Sequence, residues 1–358
     1  MRLAVYVRRL NQLRHVEAAV REASVRGHEV TLVLDDQGEV GPKAGERARL
    51  EYVPARFAKW CQLVQHWSTA APDYYDALLV AAGLDLDWLR LPKARTTSVI
   101  QGSVSDLLRL EPTRWDLVFC WSLWWAEAWA SVVSAPDHER VARICRHVGL
   151  PVGDLDGPLR VSGLGTVVYL PFMGGSRLVR ARYVLWDQLR LLTALRDYCD
   201  RHRAWLVVKS RAKTPADARL RGVADTVIEA DEPGEPTLWR LLASAAAGGG
   251  GLLVHHMSTG AAEAAAAGVQ SLGIMPYGWD WPSDNRVQIP DLMPHGGFYH
   301  WRGLSQVVRP DAARFLFSND ADLLARPLGG SLAAYRSKFL GPRGAGLNIV
   351  KALEEATA

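Results

Sequence analysis

Apolar residues in this chain fall into short runs, and the stretches between the runs carry a helical period. Residues 3–7 form an apolar run of strand length. Leu13, Val16, Ala19, Val20 and Ala23 then recur at helical spacing, and Gly27 stops the helix before a second run at 31–34. That opening predicts a β-α-β unit with a parallel pair of strands. Further strands are expected at 51–57, 97–101 and 116–120, and helices at 58–71, 73–82 and 137–148, with a polar loop at 38–49. Residues 149–165 are rich in Gly, Pro and Asp without either period and read as a linker between domains. The alternation then restarts, with strands at 166–171, 205–209 and 226–229 and helices at 183–201 and 236–246. A polar, aromatic and proline-containing loop follows Met275, and helices are expected at 320–324, 332–339 and 346–356. The pattern predicts an α/β protein of two Rossmann-like domains, 1–155 and 156–345, facing each other across a cleft.

Residues 251–275 carry the densest signal. Leu252, Leu253 and Val254 read as a buried strand, followed by a polar turn, His255-His256-Met257-Ser258-Thr259-Gly260. An alanine-rich segment bearing one acid, Glu263, ends at Gly268 as a helix ends at its C-terminal glycine, and a second strand follows at 271–275. A strand-to-helix turn of this kind offers unpaired backbone N–H groups, two hydroxyls and the positive end of a helix dipole, which together suit a phosphate. Glu263 lies four residues after Thr259, one turn into the helix, where a carboxylate can take ribose hydroxyls. The plainer reading is an ordinary helix start, with Ser258 as its cap and the alanines present for propensity. A second cluster, Lys209-Ser210-Arg211-Ala212-Lys213, follows the strand at 205–209. Three cations at a strand end, expected beside the Ser258-Thr259 turn, suit a diphosphate or a phosphate plus a carboxylate; a solvated basic strand end is the competing reading. His255 is expected to donate a hydrogen bond to a phosphate. Adjacent histidines leave a strand on opposite faces, and no acid or cysteine completes a metal set with them. Asp85-Leu86-Asp87 lies in a leucine-rich segment away from any strand end, so chemistry without a metal is expected. Asp106 and Glu127 follow first-domain strands and are the positional candidates for an acid or base; a surface carboxylate is the alternative for each.

At 358 residues, with 49% hydrophobic and 22% charged, the chain is globular and long enough for two cores. A net charge of +4 does not argue for nucleic acid. Four cysteines without a CxxC spacing point to buried thiols in a reducing compartment. The absence of a signal-peptide pattern or membrane-length apolar run points to the cytoplasm. Fourteen tryptophans are unusual, and Trp121, Trp125 and Trp129 fall four apart with Trp124 beside them. Core packing, a sugar-stacking wall and an interfacial membrane anchor are all open for that stripe.

The pattern Ser258-Thr259-Gly260, Glu263, small residues, Gly268 and a strand resembles the donor-nucleotide site of GT-B-fold glycosyltransferases. It is similar also in the related UDP-N-acetylglucosamine 2-epimerases and CDP-glycerol glycerophosphotransferases. Residues 26–33, RGHEVTLV, resemble the opening unit of many such transferases, although Arg8-Arg9-Leu10-Asn11 stands where they often carry a glycine-rich loop. Lys209 matches the lysine of a Lys-Pro-His-Pro segment in the glycerophosphotransferases, while the histidine is absent here. The resemblance implies a nucleotide-sugar donor held as substrate by the second domain, with no cofactor, and a glycan or lipid-linked acceptor on the first. It further implies surface-glycan synthesis, which leaves room for contact with the inner face of a membrane, and a final helix, 346–358, that crosses back to the first domain. A nucleotide-sugar epimerase and a non-catalytic nucleotide- or glycan-binding protein are the rival readings.

Overall fold

A computed structural model describes residues 1–8, 12–35, 53, 55–65, 74–81, 88, 91–102, 107, 110–154, 164–171, 181–210, 217–228, 237–256, 258–275, 297–319, 322–325 and 329–358. The chain divides into two compact units, Met1–Leu155 with Ser337–Ala358, and Asp156–Arg336.

The first unit opens with strand β1 (Arg2–Val7), helix α1 (Leu13–Val25) and strand β2 (Glu29–Leu34). Strands β3 (Gln62–Gln65), β4 (Tyr75–Ala81), β5 (Ala94–Ile100) and β6 (Leu117–Cys120) follow. Helices α2 (Leu123–Ala130) and α3 (His138–Ile144) and an edge strand β7 (Cys145–His147) complete it. All strands pair in parallel, in the order β3-β2-β1-β4-β5-β6-β7.

Three expectations fail here. Residues 73–82 contain the central strand β4, not a helix, because a strand covered on both faces loses the alternation that marks strands in sequence. The segment expected as a strand at 51–57 and a helix at 58–71 holds a 3-10 turn, Ala55–Lys59, and then β3. Helix α3 stops at Ile144, and Cys145 begins β7. The tryptophan stripe resolves as core. Trp121, Trp125 and Trp129 are fully buried, with the indole N–H of Trp121 on the Gln101 carbonyl at 2.9 Å and that of Trp125 on the Phe339 carbonyl at 2.7 Å. Cys120, Cys145 and Cys199 are buried thiols, and Cys61 is half-buried.

The second unit repeats the scheme. Strand β8 (Thr166–Tyr169), helix α4 (Ala181–His202), strand β9 (Trp205–Lys209), helix α5 (Ala218–Arg221) and strand β10 (Thr226–Ile228) form its first half. Helix α6 (Leu238–Ala247), strand β11 (Gly251–His255), helix α7 (Gly260–Ala267) and strand β12 (Gln270–Ile274) follow. Strand β13 (Ser305–Val308) and helices α8 (Pro310–Ser318) and α9 (Gly329–Tyr335) close it. The sheet is again parallel, in the order β10-β9-β8-β11-β12-β13. Val167, Tyr169, Leu206, Val208, Leu252 and Val254 pack with α4 and α8 on one face. Val168, Val207 and Leu253 pack with α6 and the α7 alanine Ala264 on the other. Residues 322–324 are not the helix expected over 320–324. Leu323 instead enters the core, and its N–H reaches the Tyr198 hydroxyl at 3.3 Å.

After a π-helical turn, Arg336–Leu340, helix α10 (Ala345–Thr357) packs on α1. Ile349, Val350 and Leu353 enter the first unit's core, and the Glu354 carboxylate accepts from Arg26 Nε and Nη2, at 2.9 and 2.8 Å, and meets His28 Nε2 at 2.7 Å.

Candidate functional site

In strand-number terms the two sheets have one plan: the first strand lies between the second and the fourth, and the chain winds outward in both directions. In an open parallel sheet the carboxyl ends of the strands at that switch point form the ligand crevice. In the second unit the switch point falls between β8 and β11. Strand β11 ends in His255, and α7 begins five residues later.

Tyr169 pairs with Val208 on one side and with Val254 on the other, so the row that follows holds Lys209, Leu170 and His255. Strand β8 therefore separates Lys209 from the turn before α7. The two share an edge at two strand spacings, about 10 Å, and are not neighbours. Alternation puts Lys209 and His255 on the face of Val207 and Leu253, which α6 and α7 cover, and puts Ser210 and His256 on the α4 face. Lys209 is only 7% exposed. This is not a solvated lysine at a strand end, since a buried ammonium demands polar company.

The turn is built from the side chains that the sequence singled out. Ser258 N–H donates to His255 Nδ1 at 3.1 Å, and Gly260 N–H donates to Ser258 Oγ at 3.1 Å. Ala261 and Ala262 N–H reach the carbonyls of Ser258 and Thr259 at 3.2 and 2.9 Å. Most of the N–H groups expected to be open are thus engaged in holding the turn. Thr259, the N-cap residue, makes no side-chain capping bond, and neither its N–H nor its hydroxyl has a hydrogen-bond partner among the described residues. Because His255 Nδ1 accepts, its proton sits on Nε2, and burial pushes its pKa down to about 3. Any bond His255 gives to a ligand leaves from that neutral Nε2–H. A side chain at Gly260 would press on its neighbours, as a Cβ there would stand 2.9 Å from Leu238 Cδ2 and 3.2 Å from Leu170 Cδ1. Gly268 closes α7 in the left-handed region at φ +79°, which only glycine adopts without strain. Between them Glu263 is 3% exposed in a run of buried alanines, an uncommon position for a carboxylate.

His256 points the other way. Its Nδ1–H donates to the Leu170 carbonyl at 3.2 Å, its ring meets Tyr169 edge-on at 5.8 Å, and burial lowers its pKa to about 4. Tyr299, Gln188 and Ser210 also stand around the edge, and the sequence marked none of them as chemistry. Arg211, Lys213 and Asp106 lie outside the described residues. Glu127 belongs to the first unit, on the exposed side of α2, where its charge acts on His147, whose pKa burial lowers. Among the described residues no group of three or more His, Cys, Asp or Glu is placed to hold a metal, and no helix is long and apolar enough to cross a membrane.

Two Rossmann-like units in one chain, with polar groups gathered at the second unit's switch point, define the GT-B class of fold. Solved structures agree over the whole chain. The wall teichoic acid polymerase TagF, as its H548A variant, matches with a TM-score of 0.57 at 10% identity, covering 100% of this chain and 89% of that one. Arabidopsis thaliana UGT89C1 complexed with UDP-L-rhamnose matches at 0.57 and 14% identity, covering 100% and 99%. The UDP-GlcNAc 2-epimerase of Methanocaldococcus jannaschii matches at 0.52 and 8%, covering 99% and 100%. No family model and no curated protein matches the sequence. At these identities the likeness establishes the fold and nothing finer.

Proposed function

We propose that the chain is a glycosyltransferase that moves a sugar from a nucleotide-activated donor to a glycan or lipid-linked acceptor, without a metal ion. The observation that carries this reading is that Lys209, His255 and the Ser258-Thr259-Gly260 turn share the carboxyl edge of the second unit's sheet, the last two at its switch point. The donor belongs to that unit, 156–336. Lys209, with Arg211 and Lys213 following it in sequence, and the dipole of α7 stabilise the nucleoside diphosphate as it departs. Glu263 takes the ribose. The first unit supplies the acceptor and the acid or base, for which Asp106 and Glu127 remain the candidates. The setting proposed is surface polysaccharide or glycoconjugate synthesis on the cytoplasmic side of a membrane.

UGT89C1 is solved with UDP-L-rhamnose, which supports a nucleotide-sugar donor. The likeness to a 2-epimerase supports a second reading, in which the donor sugar is epimerised and not transferred. The deciding experiment begins with a thermal-shift screen of UDP, CMP, CDP, GDP and dTDP, because a ligand of the native state raises its apparent stability. Sugar conjugates of the nucleotide that binds are then incubated with and without candidate acceptors. Transfer gives a glycoside and free nucleotide, whereas epimerisation gives a changed sugar without an acceptor. A chain that binds none of the five nucleotides is not a nucleotide-sugar enzyme.

A further inference from the structure

The two faces of the second sheet end in different chemistry. On the α6 and α7 side stand Lys209, the turn and the positive end of a helix. On the α4 side the described residues at this edge include uncharged polar groups. There the Tyr169 hydroxyl donates to Gln188 Oε1 at 3.2 Å with both residues buried, and His256 is held through its Nδ1–H as a neutral ring. Burial keeps Tyr169 protonated, its pKa being pushed up, and keeps His256 uncharged. Ser210 completes the group. It is 4% exposed, and its hydroxyl has no hydrogen-bond partner among the described residues, although its backbone N–H still pairs with the Ile228 carbonyl at 3.0 Å. An unbonded buried hydroxyl destabilises a fold, so alanine would serve the core better at this position. The hydroxyl is therefore better explained by a ligand than by packing.

We propose that Ser210, Gln188 and His256 line an uncharged subsite for the neutral, hydroxylated part of the donor, its sugar ring, while the phosphates lie on the α7 side of the same edge. This deepens the donor-site reading and rests on it. The register carried two residues past the last paired rung puts Ser210, Pro171 and His256 in one row. Ser210 and His256 then lie on the same face of that edge, with β8 between them. A phosphate on this side would meet no cation among these residues, whereas sugar hydroxyls find both donors and acceptors. The edge of the sheet thus sorts the charged and uncharged parts of one ligand onto its two faces and fixes the donor's direction.

The test uses the full chain and its Ser210→Ala variant. Calorimetric affinities are measured for UDP, CDP, GDP and dTDP, each beside its glucose conjugate. The wild type should bind at least one conjugate more tightly than the matching nucleotide. Ser210→Ala should weaken that conjugate by roughly 3- to 10-fold, the scale of one hydrogen bond, and change the bare nucleotide less than about twofold. The variant's melting temperature should equal or exceed that of the wild type. Equal losses for nucleotide and conjugate, no loss for either, no gain from glucose in the wild type, or a lowered melting temperature would each overturn the subsite. If the wild type binds no nucleotide at all, the donor-site reading falls first and takes this inference with it. Nucleotide binding without a sugar-specific loss sinks the subsite alone.

Discussion

His255 and His256 leave β11 on opposite faces and are both held neutral by burial, with pKa values near 3 and 4. The unfolded chain carries ordinary histidines, so below pH 6.5 it binds more protons than the folded one. The stability these residues contribute is complete above about pH 6.5 and is lost as pH falls toward their folded values. With both contributing, the slope approaches about 2.7 kcal/mol per pH unit. Melting curves at pH 7.5, 6 and 5 should show a steep fall over that window, and His256→Gln should make it shallower. Identical melting temperatures at pH 7.5 and 5 would mean that neither ring is buried neutral. The cations and Glu263 make a second residue-scale case. In the proposed transfer, charge on the leaving phosphate grows in the transition state, so Arg211→Ala should cut turnover by roughly 10²-fold with a smaller loss of donor affinity. Lys213→Ala should be milder. A wild-type rate in Arg211→Ala would move the site elsewhere. Glu263→Ala should weaken a nucleoside diphosphate more than pyrophosphate, and equal losses would remove the ribose assignment.

Among elements, α10 is the most consequential, because it brings the far end of the chain into the first unit's core beside α1. The two helices approach closely at Gly346, where a Cβ would stand 2.5 Å from the Ala18 carbonyl oxygen. Gly346→Ala should therefore destabilise the protein by about 1–3 kcal/mol, as overpacking does. Gly330→Ala, on an open face of α9 where a Cβ meets nothing within 4 Å, should be neutral or stabilise by up to about 1 kcal/mol. Paired melting curves of the two variants read the contrast directly, and a harmless Gly346→Ala would show that the helices have slack. The same element scale explains the α2 tryptophans. A stripe at helical spacing says which side of the helix is apolar, but not whether protein, sugar or lipid covers it. Here Gln101, Phe339 and neighbouring rings cover it.

At the scale of the molecule, the chain visits the first unit, then the second, then returns. Deleting residues 337–358 should leave the first unit without Ile349, Val350 and Leu353. Three such losses, at about 2–5 kcal/mol each, are comparable to the whole stability of a domain. Limited proteolysis of a 1–336 chain should then degrade residues 1–155 while 156–336 resists. Protection of both regions would show that α10 is an accessory and not part of the core.

Local periodicity and turn chemistry were legible in the sequence. The β1-α1-β2 start, the β11-α7-β12 unit and the glycine that closes α7 are each decided by residues within a few positions of one another. Lys209 at the end of β9 and the hydroxyls before α7 were legible for the same reason. Strand β4 was not, since burial on both faces erases the period that would reveal it. The side-by-side placement of β9 and β11 expected from sequence gave way to an intervening β8, because strand order depends on contacts between distant residues. Only the folded sheet assigned Lys209 and His255 to one face and Ser210 and His256 to the other. That sorting follows from alternation and register together, and register is a property of the whole sheet.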